Sequence, residues 1–583
     1  MPAATRNRPA TPASASLTDW ESWSAHLLRR TAPAAPWQHL PGNRWPLNWA
    51  LETSGVSTET RQMLSRLERW SARTPPTAPA PQIPRWQAWR EQAGERSREA
   101  GFGLECVAWA YLLPGMAPGL TEQAWWAAYQ FLQQLARSGA GREVQREPLA
   151  HQWLASELPL TLAYQFPECE HSRSLAKVAQ QGLTDGFDAL LDLNGLPAAE
   201  HVGSVRPLLA SWTRVATLAQ AGGIKLFSRA MQERFVAFLR CAVQLTRETG
   251  APCFGEEAYH PGDRALFDKA LEFAAEDQRV IAEQLLPQRR GQGKREVTAT
   301  LLPSPAINSE WGRVAILRTD WLSGSPQWVL AHQAGQMRCE LLLGGRPLCS
   351  GPWEQEIRID KRKLPPPDSW VEVCWHSDDD LDYQELQAEL AGGWILQRQV
   401  LLAREDRFLF LADALLGKQD AQIEYRSSLP LAAGVRFRST KETWDGQLAG
   451  RHGTGLVLPL ALPEWRAAPQ VGSLHTERGQ LVVTHTAAGP RTYLPLFVDL
   501  NAERTKRKRT WRRLTVAEKL EIQPDTVATA YRVQVADEQW LFYRSLAAAG
   551  NRTVLGQNLN NEFLAARFDR DGETEELIRI DSD

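Results

Sequence analysis

A chain of 583 residues exceeds what one hydrophobic core usually supports, so two large domains are expected. With 66 Lys and Arg against 68 Asp and Glu the formal net charge is -2, which argues against a protein built around the nucleic-acid backbone or an anionic membrane. Seven cysteines (Cys106, Cys169, Cys241, Cys253, Cys339, Cys349 and Cys374) are odd in number and scattered without a CxxC. That suits neither a disulfide framework nor a zinc ribbon, and fits thiols kept reduced in a cytosol.

Residues 1–17 are rich in Pro, Ala, Ser and Thr, with Arg6 and Arg8 but no apolar core of a signal peptide, and read as a disordered tail. No run of about 18 apolar residues predicts a membrane span, so the expected location is the cytoplasm. From Trp20 to Leu286 apolar residues recur at three- and four-residue spacing, as in Leu175, Val178, Ala179, Leu183, Phe187 and Leu190. Met231, Phe235, Phe238, Leu239, Ala242 and Leu245 repeat the stripe, and 122–137 and 263–286 behave alike. Pro and Gly clusters at 75–84, 138–141, 195–197 and 250–255 punctuate these runs. Residues 18–290 are therefore expected to form an all-helical domain of stacked hairpins.

The polar, basic stretch Pro287 to Lys294 reads as a linker, after which the period changes. Short alternating or apolar segments follow: 297–302, 313–318, 328–331, 338–343, 370–375, 394–402, 407–411, 422–427, 455–461, 480–485, 492–498, 526–535 and 540–545. So many short strands with little helix between them predict an antiparallel β-sandwich over 296–583. The expected fold class is multidomain α + β, helices first and strands second. GxxxxGK[ST], GxGxxG, HExxH and GxSxG are absent, so phosphate-loop, dinucleotide, zincin and serine-hydrolase chemistry lack their usual marks.

Two stretches carry a resemblance. Residues 158–209 read LPLTLAYQFPECEHSRSLAKVAQQGLTDGFDALLDLNGLPAAEHVGSVRPLL, a helix ending in Phe-Pro-Glu, a second helix, an Asn-Gly turn and a third helix. Residues 312–351 begin GRVAILRTDW and continue to AHQAGQMRCELLLGGRPLCSG, a His-bearing strand and a Gly-Arg hairpin. Both resemble the heparinase II/III-like family of polysaccharide lyases. The resemblance implies an N-terminal α/α toroid (an incomplete helical barrel), a C-terminal β-sandwich, and a polysaccharide lyase acting on an acidic, uronate-containing oligosaccharide in the interdomain cleft. It implies β-elimination: a base removes the C5 proton of a uronate whose carboxylate has been neutralised, and the C4 oxygen leaves. The family's Asn-His position reads His151-Gln152, its Tyr position falls in the Tyr-free run 200–207, and its His-rich turn reads His332 to Gln336.

Of the residues present, His201, His332 and Arg206 are the catalytic candidates, His332 matching a family position best, and His151, Glu157, Glu200, Trp212, Arg214 and Gln336 are the substrate-binding candidates. Each has a plainer reading. His201 and His332 are a capping and a strand-end histidine, Arg206 and Arg214 partners of toroid acids, Trp212 a core ring, and His151 with Glu157 a helix-start pair. The run His376 to Tyr383 offers hard oxygen ligands for calcium or is a solvated hairpin, and the basic cluster 504–513 attracts an anionic polymer or is a solvated loop. No cofactor is called for, and a divalent metal stays open. Partners are expected to be an acidic oligosaccharide or polysaccharide, with no nucleic acid and no membrane. The competing function is a non-catalytic glycan-binding or scaffolding protein that kept the fold. A glycosidase would need a carboxylate pair, for which Glu157 and Glu200 are the candidates.

Overall fold

The computed structural model describes residues 19–29, 45–71, 82–255, 261–287, 302–548, 550–568 and 574–581. The N-terminal tail and, but for their last or first residue, the 287–294 linker and the 297–302 strand lie outside them. The chain forms two compact units. One comprises Met1–Leu191, Ser204–Val236 and His260–Phe273; the other comprises Asp192–Gly203, Ala237–Tyr259 and Ala274–Asp583.

Helix Glu122–Gly139 starts where the Thr121 hydroxyl accepts from Ala124 N at 3.3 Å, and it buries Trp125, Ala128, Tyr129, Leu132 and Ala136 on one stripe. Helix Ser172–Leu190 buries Leu175, Ala179, Leu183, Phe187 and Leu190, the periodicity read from sequence. The 263–286 stretch, expected as one run, is two helices, Pro261–Ala270 and Glu276–Leu285, parted by the turn Leu271–Phe273. Ala275 is extended, and Glu276 and Asp277 open a fresh helix where its positive end favours carboxylates.

At the middle of this unit the segment Gln152–Glu157 widens into a π-helix, a form concentrated at functional sites. It needs a close neighbour. Gly182 and Gly186, one turn apart on Ser172–Leu190, supply the notch: a Cβ on Gly182 would stand 2.4 Å from Ala155 O, and one on Gly186 would stand 2.2 Å from Gln152 Nε2. Gly182→Ala is therefore expected to lower stability by about 1–3 kcal/mol, read as a shift of the denaturant midpoint. Gly94→Ala, at an open helical position, should be neutral or stabilising by up to about 1 kcal/mol.

The strand-rich unit is antiparallel throughout its described strands. A meander of Ile307–Ser309, Val314–Arg318, Gln327–Gln333, Gln336–Leu343 and Arg346–Pro352 forms the first sheet. A second, larger sheet is built on two long strands, Phe408–Pro430 and Gln480–Asp499, which pair along most of their length. A third contains Arg509–Leu514, Ala528–Val535, Glu538–Ser545, Phe563–Phe568 and Thr574–Ile580.

Sequence reading divided each long strand in two, because the polar residues near 417–420 and Gly489-Pro490 resemble turns. They are instead a bulge: the register slips between Leu416 and Ala421 and the strands continue. Phe408 to Leu415 are buried on both faces. On one face Phe410 stacks on Phe542 at 4.4 Å and Phe408 meets Trp540 at 5.4 Å. On the other, Asp413 holds Arg398 at 2.7 and 3.0 Å, and the Arg398 guanidinium lies 3.9 Å from the Trp353 ring. A strand covered on both sides loses its alternation, which is why FLFLADALL reads as a continuous apolar run.

Candidate active site on the strand-rich unit

The residues singled out by sequence fall in two groups. Arg206, Arg214, Trp212, His151 and Glu157 belong to the helical unit, and Glu200, His201, His332 and Gln336 to the strand-rich unit.

The first group is locked into the core. Glu157, fully buried, accepts from Arg214 Nε at 2.5 Å and Nη2 at 2.9 Å and from Ser211 at 2.7 Å, while Arg214 Nη1 donates to Pro46 O at 3.1 Å. Arg206 is buried against Asp263 at 2.9 Å, with Phe267 flanking its guanidinium. Trp212 is a core ring: it stacks on Phe187 at 4.6 Å and donates to Gln152 Oε1 at 2.8 Å. Gln152 donates in turn to Gly182 O and lies 2.9 Å from His151 Nδ1, and burial holds the His151 imidazole below its usual range. The roles read from sequence for Arg206, Arg214 and Trp212, neutralising and stacking on a sugar, are therefore corrected. Buried acids hold both guanidiniums, and no ring face of Trp212 is open. Glu157 is likewise spent on Arg214, which removes it from the glycosidase pair.

The second group does gather. His201 sits in the short helix Ala199–Ser204, buried, with Nε2 3.3 Å from Glu200 Oε1 but without the geometry of a hydrogen bond. That nitrogen has no hydrogen-bond partner among the described residues. Burial lowers its pKa, and Glu200 opposes this in part. The other Glu200 oxygen accepts from Gln333 Nε2 at 2.8 Å. Gln333 follows His332, the last buried residue of strand Gln327–Gln333. His332 is pushed down to about 4, first by burial and then by the charge of Arg313. Both imidazoles are thus neutral at physiological pH, the state a general base requires. Gln336 pairs with Gln333 across the hairpin and lines a cavity of about 730 Å³ with Trp353, Lys363 and Arg426.

Two residues missed by sequence complete the cluster. The turn from Ser309 to Arg313 is clasped to the His201 segment by Ala199 N donating to Gly312 O at 2.7 Å, and to the His332 strand by His332 N donating to Arg313 O at 3.0 Å. On it stand Trp311, 52% exposed, and Arg313, exposed, whose side chain makes no ion pair among the described residues. The available signal was an aromatic residue beside Gly312, just ahead of the strand alternation that begins at Val314. Elsewhere, Asp378 in the His376–Tyr383 run caps its own turn through Asp380 N and Leu381 N and contacts His376 at 2.8 Å, a hairpin arrangement. Arg504 and Arg509 of the basic cluster are bound to Asp499 and Asp445. Among the described residues no three His, Cys, Asp or Glu side chains converge as metal ligands, and no helix is long and apolar enough to cross a membrane.

No family model matches the chain and no curated protein matches its sequence. Solved structures do match its fold. A heparinase III gene product superposes with a TM-score of 0.58 at 10% identity over 91% of this chain and 85% of that one. A mutant of heparan sulfate lyase HepC from Pedobacter heparinus gives 0.55 at 12% over 94% and 91%. A further heparinase III gives 0.51 at 11% over 85% and 81%. At this identity the likeness is one of fold: an incomplete α/α toroid followed by an antiparallel β-sandwich, as the sequence implied.

Proposed function

We propose that this chain binds an acidic, uronate-containing polysaccharide and cleaves it by β-elimination at the His201–His332 cluster. The observation that carries the reading is the orphaned Nε2 of His201, a buried polar atom whose missing partner a sugar can supply, on a segment bonded through Ala199 and Glu200 to the turn and strand that carry a second neutral imidazole, His332, on a fold shared with heparan sulfate lyases. In the reaction one imidazole takes the C5 proton. The C5–H electrons form the C4–C5 double bond, the C4–O bond breaks, and the departing oxygen takes a proton from the other imidazole's N–H. Glu200, held by Gln333, favours by its charge the imidazolium that forms on His201.

The test is ultraviolet absorbance of the unsaturated product with a panel of uronate polymers, heparan sulfate first. Wild type should turn over at least one polymer, and His201→Ala should reduce that rate by about a hundredfold. The absence of product on every polymer would sink the lyase reading.

A second reading, a glycan-binding protein without turnover, is favoured by the engagement of Arg206 and Arg214 with buried acids. Calorimetric binding of a polymer that is never cleaved, with affinity unchanged in His201→Ala, would establish it.

A further inference from the structure

With Arg206 and Arg214 bound to carboxylates, the proposed reaction lacks a group to neutralise the sugar's acid, and the strand-rich unit offers one. We propose that the turn Ser309–Arg313 is the recognition element of this site, Trp311 providing the ring platform on which a sugar stacks and Arg313 the guanidinium that takes its anionic group, a carboxylate or a sulfate. This assignment rests on the acidic-polysaccharide reading above and names the residues that would make the site selective for acid.

Three observations converge. The first is exposure against habit: most of the chain's described tryptophans are buried or half-buried, yet Trp311 is half open on the turn whose backbone is bonded both to the His201 segment at Ala199 and to the His332 strand. A large amphipathic ring left in water at a polar cluster is the usual platform for a sugar face. The second is charge. Arg313 is exposed, pairs with no acid among the described residues, and its field reaches His332. A guanidinium presents a planar fork that matches a carboxylate or sulfate in two-point contact.

The third is rigidity. Gly312 N donates to Ser309 Oγ at 2.9 Å, Arg313 N donates to Glu310 O at 3.2 Å, and a Cβ on Gly312 would lie 2.9 Å from Pro197 O. Arg313 itself holds φ +57°, a left-handed conformation that a side chain bears only where the surroundings impose it, and such residues concentrate at ligand sites. The turn is therefore built before any ligand arrives, and little ordering entropy is lost on binding.

The experiment is calorimetric titration of the full-length protein and of Arg313→Gln, Trp311→Ala and a charge control on the other unit, Arg229→Gln, which is 93% exposed. The probes are heparan sulfate oligosaccharide, its carboxyl-reduced form and its desulfated form. Arg313→Gln should weaken binding of the native oligosaccharide by about tenfold. The loss should vanish on the carboxyl-reduced probe if the carboxylate is the partner, and on the desulfated probe if the sulfate is. Trp311→Ala should weaken all three by roughly fivefold. If wild type binds and Arg313→Gln merely tracks Arg229→Gln on every probe, the assignment is wrong while the glycan reading stands. If wild type binds no probe, the glycan reading fails and the assignment falls with it. Both changed side chains are exposed, so thermal midpoints should match wild type; a fall in midpoint for both would show that the turn is structural and overturn the proposal.

Discussion

Glu157→Ala is expected to destabilise the helical unit by about 3–5 kcal/mol. The carboxylate takes three donors, two from Arg214 and one from Ser211, in a place without water access. Removing it leaves the Arg214 guanidinium buried with, among the described residues, only the Pro46 carbonyl at 3.1 Å as a hydrogen-bond partner. The cost is that of an uncompensated buried charge, and it exceeds the net worth of the intact pair, because forming the pair already required desolvating both groups. Replacing both residues together by Met should therefore recover most of the loss. Chemical denaturation followed by far-ultraviolet ellipticity measures this. A midpoint for Glu157→Ala within about 0.5 kcal/mol of wild type would show that the pair anchors nothing.

Acidification should weaken the strand-rich unit through His332. An unfolded histidine titrates near 6.5, whereas the buried imidazole titrates at about 4. Between those values the unfolded chain binds a proton that the folded chain refuses, so stability is complete above about pH 6.5 and is lost as pH falls toward 4. The gap corresponds to roughly 3 kcal/mol. His485 is pushed down to about 4 by burial and Arg513, and burial lowers His151 and His201 as well, so wild type carries several such groups. Comparing wild type with His332→Gln isolates one of them. Between about pH 7.5 and about pH 4.5 the urea midpoint of the variant should fall less than that of wild type. Parallel pH profiles would place the imidazole in solvent and remove its proposed role as a preset neutral base.

The helical stripes and most strands were legible because burial imposes a period, and a period survives without knowledge of what is packed against it. Phe408–Pro430 shows the limit: its ends were read and its middle was lost, since a bulge and a turn use the same polar residues. Part of the candidate site was visible in the sequence as candidate residues. His201 and His332 stood out as histidines near glycine-rich turns, and the structure ties their segments together through Gly312 and Arg313. The arginines misled because a guanidinium in sequence looks the same whether it is free or spent. Asp263, the partner of Arg206, lies 57 residues away and belongs to a helix whose start was masked by the merged 263–286 stripe. Trp311 and Arg313 escaped for the opposite reason: they lie in a turn, where no periodicity reports on exposure.

The interleaving of the two units bears on how this protein can be dissected. Because residues 192–203 and 237–259 belong to the strand-rich unit, the chain passes between units several times before the last strands are made. A fragment begun at residue 296, the obvious cut from sequence, would carry Glu340 into its interior without Arg247, which holds both of its oxygens at 2.7 and 2.8 Å. It would also lose His201 and the Ala199 amide that fastens Gly312. Such a truncation removes half of the proposed catalytic pair and strands a carboxylate in the core. Failure of that fragment to express or to turn over substrate would therefore say nothing against the proposed activity of the intact chain, and useful deletions must begin ahead of Asp192.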